Sequence, residues 1–183
     1  MKKGKFIIIS GPSGVGKDTI CDELVKRDIG KYSVSMTTRK KRPNEVDGIS
    51  YFFVTKAEFE KYIKEDCFLE YAMYNGNYYG TPKKFIKDTT DNGDNVLAIL
   101  EIKGAMNAKR IFNNAITIFI MPPSFEELQN RLRNRKSEDD NIINERLNIA
   151  KNEIKYKGKY DYVIINNTVD ETVLEIENII NKN

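Results

Sequence analysis

The stretch FIIISGPSGVGKDTI at residues 6–20 restricts what this chain can fold into more than any other part of it. An apolar, β-branched run at 5–10 is the kind buried in a parallel sheet, and Ile20, Leu24 and Val25 then recur at helical spacing over 18–27. Between them GPSGVGK, residues 11–17, fits the phosphate-loop pattern G-x-x-x-x-G-K in the strand-to-helix context that gives the pattern its force. Gly11, Pro12, Ser13, Gly14, Val15 and Gly16 let backbone N–H groups converge on phosphate oxygens, the helix start adds partial positive charge, and Lys17 adds a full one. A polyphosphate is the expected ligand. Out of context the same residues read as a tight glycine turn with a surface lysine.

The position after Lys17 is unusual. Asp18 stands where a Ser or Thr normally lends its hydroxyl to Mg²⁺. A carboxylate is a good hard-oxygen ligand, so Asp18 is a candidate for the metal, directly or through water. It equally suits the positive end of the helix it begins. Thr19 remains available to a phosphate.

Further short apolar runs at 96–100, 116–121 and 162–165 alternate with helical patterns near 104–112, 124–135, 138–156 and 170–181. This alternation predicts an α/β fold, a parallel sheet of the P-loop type with helices on both faces. The segment between differs in texture. YFFV, the helix-like KAEFEKYIKE, and CFLEYAMYNGNYYGT with its Asn75–Gly76 turn predict a small mixed or antiparallel sheet inserted into the core. The arginine-rich and acidic stretch at 126–155 reads as a helical lid. The 183 residues form one domain on this reading: a core of 1–33, 84–125 and 156–183, an insertion at 34–83 and the lid at 126–155.

Composition excludes several function classes. Histidine is absent, which removes imidazole acid–base chemistry, Ser/His triads and His-containing zinc sites. Cys21 and Cys67 lack any paired spacing and read as buried small apolar residues, and the apolar runs are too short to span a bilayer. The N-terminal lysines precede a short apolar run that meets a glycine turn, so no signal peptide is expected and the cytoplasm is the expected compartment. A net charge of +3 with interleaved signs points to no nucleic-acid face.

SVSMTTRKKRPNEVDGISYFFV from Ser33, FLEYAMYNGNYYGT at 68–81, PPSFEELQNRLRNR and the later NERL, taken with GPSGVGK, closely resemble the guanylate kinase family over nearly the whole chain. The resemblance implies that ATP binds the phosphate loop and GMP the insertion. It assigns GMP phosphate to Arg39, Arg42, Tyr51 and Tyr79, and guanine to Ser35 and Glu70, with Thr81 nearby. The chemistry agrees: guanidinium forks bond two phosphate oxygens at once, and a carboxylate can accept both the N1–H and the 2-amino group of guanine but meets a lone pair on adenine. Alone, TTRKKRP is a solvated basic loop and Tyr79 is hairpin packing. Of 8 arginines among 30 basic residues, Arg39, Arg42, Arg131, Arg135 and Arg146 fall where the family binds phosphate.

At the end of the strand VLAIL the family usually carries aspartates, whereas this chain has Ile99 and Glu101. Glu101 is the candidate for the guanine amino group or, through water, for Mg²⁺, and Asp18 suggests one carboxylate relocated to the phosphate loop. Arg131 and Arg135, four apart, share a helix face and, with Arg146, are expected with Lys17 on the transferring phosphoryl, while Arg133 is out of phase. Asn166 matches a family position near the adenine. The resulting expectation is an ATP:GMP phosphotransferase with Mg²⁺ as cofactor, needing no nucleic acid, membrane or obligate protein partner. Its rivals are a same-fold kinase for another acceptor, a catalytically silent protein-binding module of the family, and a GTPase-like switch, which lacks an NKxD motif.

Overall fold

In the computed structural model, which describes residues 3–134 and 140–183, β1 (Phe6–Ser10) runs through the middle of a five-stranded sheet. Its side chains divide by parity: Ile7 and Ile9 enter one apolar cluster, Phe6 and Ile8 the other. A continuous β-branched run needs this double cover, because neither of its faces tolerates water. The loop after β1 leads into α1 (Lys17–Lys26), which lays Ile20, Cys21 and Leu24 on the Ile7 side. β2 (Lys31–Tyr32) is a two-residue edge strand.

The chain then leaves the main sheet at Ser33, whose N–H donates to the Leu97 carbonyl at 2.8 Å. β3 (Met36–Thr37), β4 (Phe52–Phe53), α2 (Lys56–Lys64), β5 (Phe68–Tyr74) and β6 (Asn77–Pro82) follow, with strand order β4-β3-β6-β5. This sheet is mixed. β6 pairs antiparallel with β3 and β5, but β3 and β4 are parallel because residues 38–51 return as a long loop instead of a tight turn. Asn75 (φ 47°) and Gly76 (φ 74°) make the left-handed hairpin turn between β5 and β6. Phe59 on α2 stacks between Phe68 and Tyr78, with ring centroids 4.3 and 5.1 Å away. Thr55 and Glu58 cap α2 reciprocally.

The chain rejoins the main layer at Lys83, whose N–H donates to the Cys67 carbonyl at 2.9 Å. α3 (Lys83–Asp91), β7 (Val96–Ile99), α4 (Ile102–Ile111) and β8 (Ile116–Met121) follow. α5 (Phe125–Asn134) and α6 (Asp140–Ile154) pack on each other through Leu128, Leu132, Ile143 and Leu147. A 3₁₀ turn at Lys157–Lys159 precedes β9 (Tyr162–Ile165), and α7 (Val169–Lys182) closes the fold against α1. The main sheet is parallel throughout, in the order β2-β7-β1-β8-β9. From β1 the chain first goes to the β2 edge and later crosses from β7 over β1 to β8 on the other side, a reversal that opens a crevice at the carboxyl ends of the strands.

Burial pushes the Cys21 thiol up to about 12, which keeps it an unreactive apolar side chain. Cys67, expected to be buried, is half-exposed, and its Sγ lies 3.6 Å from the Glu65 carbonyl just before β5. Among the described residues no helix is long and apolar enough to cross a membrane.

Candidate active site

The phosphate loop is fixed from beneath and from above. Val15 is fully buried in the Ile7–Ile9 cluster, which pins the middle of the loop to the sheet. Gly14 (φ 85°) and Gly16 (φ 101°) hold conformations that side chains resist, and both are also crowded. A Cβ at Gly14 would lie 2.7 Å from Leu132 Cδ2, and one at Gly16 would lie 2.9 Å from Asn166 Nδ2. α5 and the end of β9 therefore rest directly on the loop.

Asn166, expected beside the adenine, is buried, with its amide turned to the loop. Nδ2 donates to the Val15 carbonyl at 2.8 Å, and Oδ1 accepts from Thr172 Oγ1 at 3.0 Å. Arg131 reaches the same place from α5, donating to the Asn166 carbonyl at 3.2 Å while Glu127 holds its Nε at 2.9 Å. Lys17 Nζ arches back over the loop, donating to the Gly11 and Pro12 carbonyls at 2.6 and 2.9 Å.

Above the loop lies a cavity of about 280 Å³ lined by Gly11, Ser13, Lys17, Ile99, Glu101 and Glu153, among others. Asp18 and Thr19 are exposed on the first turn of α1 and do not line it. Glu153, on α6, was not singled out by the sequence reading. Burial raises its pKa, the Lys17 charge and the Ser13 N–H oppose that rise, and Glu101 adds to it. Its Oε2 is buried without a hydrogen-bond partner among the described residues. Arg146, Ala150 and Glu153 stand at i, i+4 and i+7 on one helical stripe, a spacing that does not by itself show that the stripe faces the loop.

A second cavity, about 290 Å³, is lined by Ser35, Glu70, Tyr79, Thr81, Ile99 and Glu101, with Tyr71, Ala72 and Gly80. All five of the residues named here that were expected at guanine or its phosphate (Ser35, Glu70, Tyr79, Thr81 and Glu101) thus converge, from β5, β6, the link before β3 and the link between β7 and α4. Burial, and then the Glu101 charge, raise the pKa of Glu70. Glu70 also borders a wider cleft of about 800 Å³ between β5 and α4.

Beside this cavity Arg39 lies over Tyr51, its Cζ 5.5 Å from the ring centroid, and Tyr51 meets Tyr79 edge-on with centroids 6.1 Å apart. Glu45, also missed by the sequence reading, binds the Arg39 fork through both carboxylate oxygens. Arg42 is exposed, with its backbone N–H donating to Glu45 Oε2 at 2.8 Å. Of the lid arginines, Arg131 touches the loop, Arg146 is half-buried on α6, Arg133 is exposed, and Arg135 lies outside the described residues.

A family model described as guanylate kinase matches residues 3–183. A guanylate kinase of Clostridium acetobutylicum is 50% identical over 179 residues, covering 98% of this chain and 86% of that protein. One from Oceanobacillus iheyensis is 45% identical over 180 residues, covering 98% and 87%. The crystal structure of guanylate kinase from Anaplasma phagocytophilum superposes with a TM-score of 0.72 at 34% identity, covering 99% of this chain and 86% of that one.

Proposed function

This chain belongs to the guanylate kinase family, and from that membership we propose how its two cavities divide the transfer of the γ-phosphoryl of ATP to GMP. ATP lies along residues 11–19 with its phosphates over Lys17. GMP enters the second cavity, its base against Ser35, Glu70, Thr81 and Glu101 and its phosphate on Arg39, Arg42, Tyr51 and Tyr79. The observation that carries this division is the common wall: Ile99 and Glu101 line both cavities, so donor and acceptor face each other across one strand end.

A GMP phosphate oxygen is already anionic at neutral pH and needs no general base. It attacks the γ-phosphorus as the bond to the β,γ-bridging oxygen breaks, giving GDP and ADP. Charge on the transferring group spreads over its equatorial oxygens, and Lys17 with Arg131, Arg135 and Arg146 is suited to neutralise it. Closure of the insertion at 34–83 and the lid at 126–155 on the core would exclude water that otherwise hydrolyses ATP.

Mg²⁺ fits this site. Such an ion rides on phosphate oxygens, keeps several waters and needs only one or two carboxylates, and Glu101 and Glu153 both face the loop cavity. Glu101 would hold it through water, and its charge would offset that of the β- and γ-phosphates. Asp18, exposed and off that cavity, is read as complementing the N-terminus of α1. The cytoplasm, where both nucleotides are at hand, is the proposed setting.

The test is ADP formation by the purified protein with ATP and Mg²⁺, comparing GMP, dGMP, AMP, UMP and no acceptor, with and without chelator. Turnover with GMP far above AMP, abolished by chelation, is the expected result. Binding of GMP without ADP formation would return the chain to the silent-module class.

A further inference from the structure

Gly104 stands in the first turn of α4 and is buried. A Cβ built there would fall 1.9 Å from Glu70 Oε2 and 2.9 Å from its Cδ, far inside contact distance. What it meets is the free end of a flexible side chain that reaches across from β5. A side chain at 104 would therefore displace the carboxylate and leave the helix backbone where it is. Electrostatics alone does not keep the carboxylate in place, since burial and Glu101 both oppose its charge. Room does.

We propose that Gly104 is a positioning residue for base selection: the space left by its missing side chain is where the Glu70 carboxylate lies, facing the cavity it shares with Ser35, Thr81 and Glu101. The inference rests on the reading that Glu70 recognises guanine. Gly104 touches no substrate and acts through Glu70 alone. Alanine favours a helix interior over glycine, so Gly104→Ala removes the space without weakening α4.

The experiment measures KM for GMP and for ATP, the GMP:AMP ratio of kcat/KM, and Tm for Gly104→Ala, Glu70→Gln and the double variant. Gly104→Ala is expected to keep Tm at or above that of the parent and KM for ATP within about twofold, while raising KM for GMP about tenfold and lowering the GMP:AMP ratio. On the Glu70→Gln background the alanine is expected to add less than about twofold, because both changes remove the same interaction. An unchanged GMP:AMP ratio in Gly104→Ala, with Glu70→Gln reducing it, would overturn the role of Gly104 and leave Glu70 standing. Full additivity in the double variant, or equal losses toward ATP with a fall in Tm, would overturn it in favour of plain packing. If Glu70→Gln itself keeps full selection for GMP, the reading of Glu70 fails first.

Discussion

Arg39 takes both carboxylate oxygens of Glu45, at 2.6 and 3.0 Å, and so lies fixed above the ring of Tyr51. Two parallel bonds set the plane as well as the place of the fork, which a single contact cannot do. The cation proposed for the acceptor phosphate is thereby aimed by a neighbour six residues on in the same loop.

Glu45→Gln should loosen that aim. KM for GMP is expected to rise about tenfold with kcat within about twofold, since charge-assisted pairs are worth roughly twice a neutral bond. Steady-state kinetics checks this, and a fall in KM would instead make Glu45 a competitor of the phosphate.

The same pair gives a pH signature. Arg39, then the Arg42 N–H, hold the Glu45 carboxyl at about 2, below its ordinary 4.5. A depressed carboxylate stabilises the fold fully above the unfolded value, and this contribution is lost as pH falls toward the folded one. The urea midpoints of the parent protein and Glu45→Gln should therefore differ at neutral pH and converge as the solution is acidified through that window.

Glu70 behaves in the opposite sense. Its raised pKa means the folded chain holds this proton more tightly than the unfolded chain, so its contribution declines as pH rises above the usual carboxylate range. Glu70→Gln should be as stable as the parent in acid and more stable at neutral pH, while discrimination of GMP over AMP falls about a hundredfold or more. Thermal melts across pH and paired kcat/KM values test both halves.

Asn166→Ala removes the bond to the Val15 carbonyl and leaves the buried Thr172 hydroxyl with one partner fewer. A loss of about 1–3 kcal/mol in unfolding free energy is expected, together with a higher KM for ATP as the loop loosens. Denaturant titration and kinetics on the variant decide whether this side chain serves the loop or only the base.

Asp18→Ala should keep its Mg²⁺ dependence, because Asp18 lies off the loop cavity, whereas Glu101→Gln should need more Mg²⁺ for half-maximal rate. Titrating Mg²⁺ at fixed ATP compares them. A weakened metal response in Asp18→Ala alone would place the relocated carboxylate at the metal after all.

How much of this was legible depended on the range over which each signal acts. The β-branched run at 6–10, the glycines of the loop and the Asn75–Gly76 turn are local, and each produced the element it predicts. α3 carries little signal in the sequence, because apart from Phe85 and Ile86 its residues are polar, and β2 is only two residues long. Glu153 and Gly104 escaped for a different reason. Their significance lies in Lys17 and Glu70, which the fold brings close from distant parts of the chain. Asn166 follows an apolar strand, yet no pattern in the sequence shows that its amide faces the loop.

The second sheet leaves the main layer at Ser33 and rejoins it at Lys83, and between these crossings Leu69 of β5 packs in the Phe6–Ile8 cluster while its carbonyl accepts from Asn107 Nδ2 of α4 at 2.7 Å. The second sheet is therefore held to the core by side-chain packing on α4 as well as by its two chain links. On the proposed reading, the base end of the acceptor is thus referred to the core through the residue beside Glu70, whereas its phosphate end rests on Arg39 and Arg42 of the long loop at 38–51.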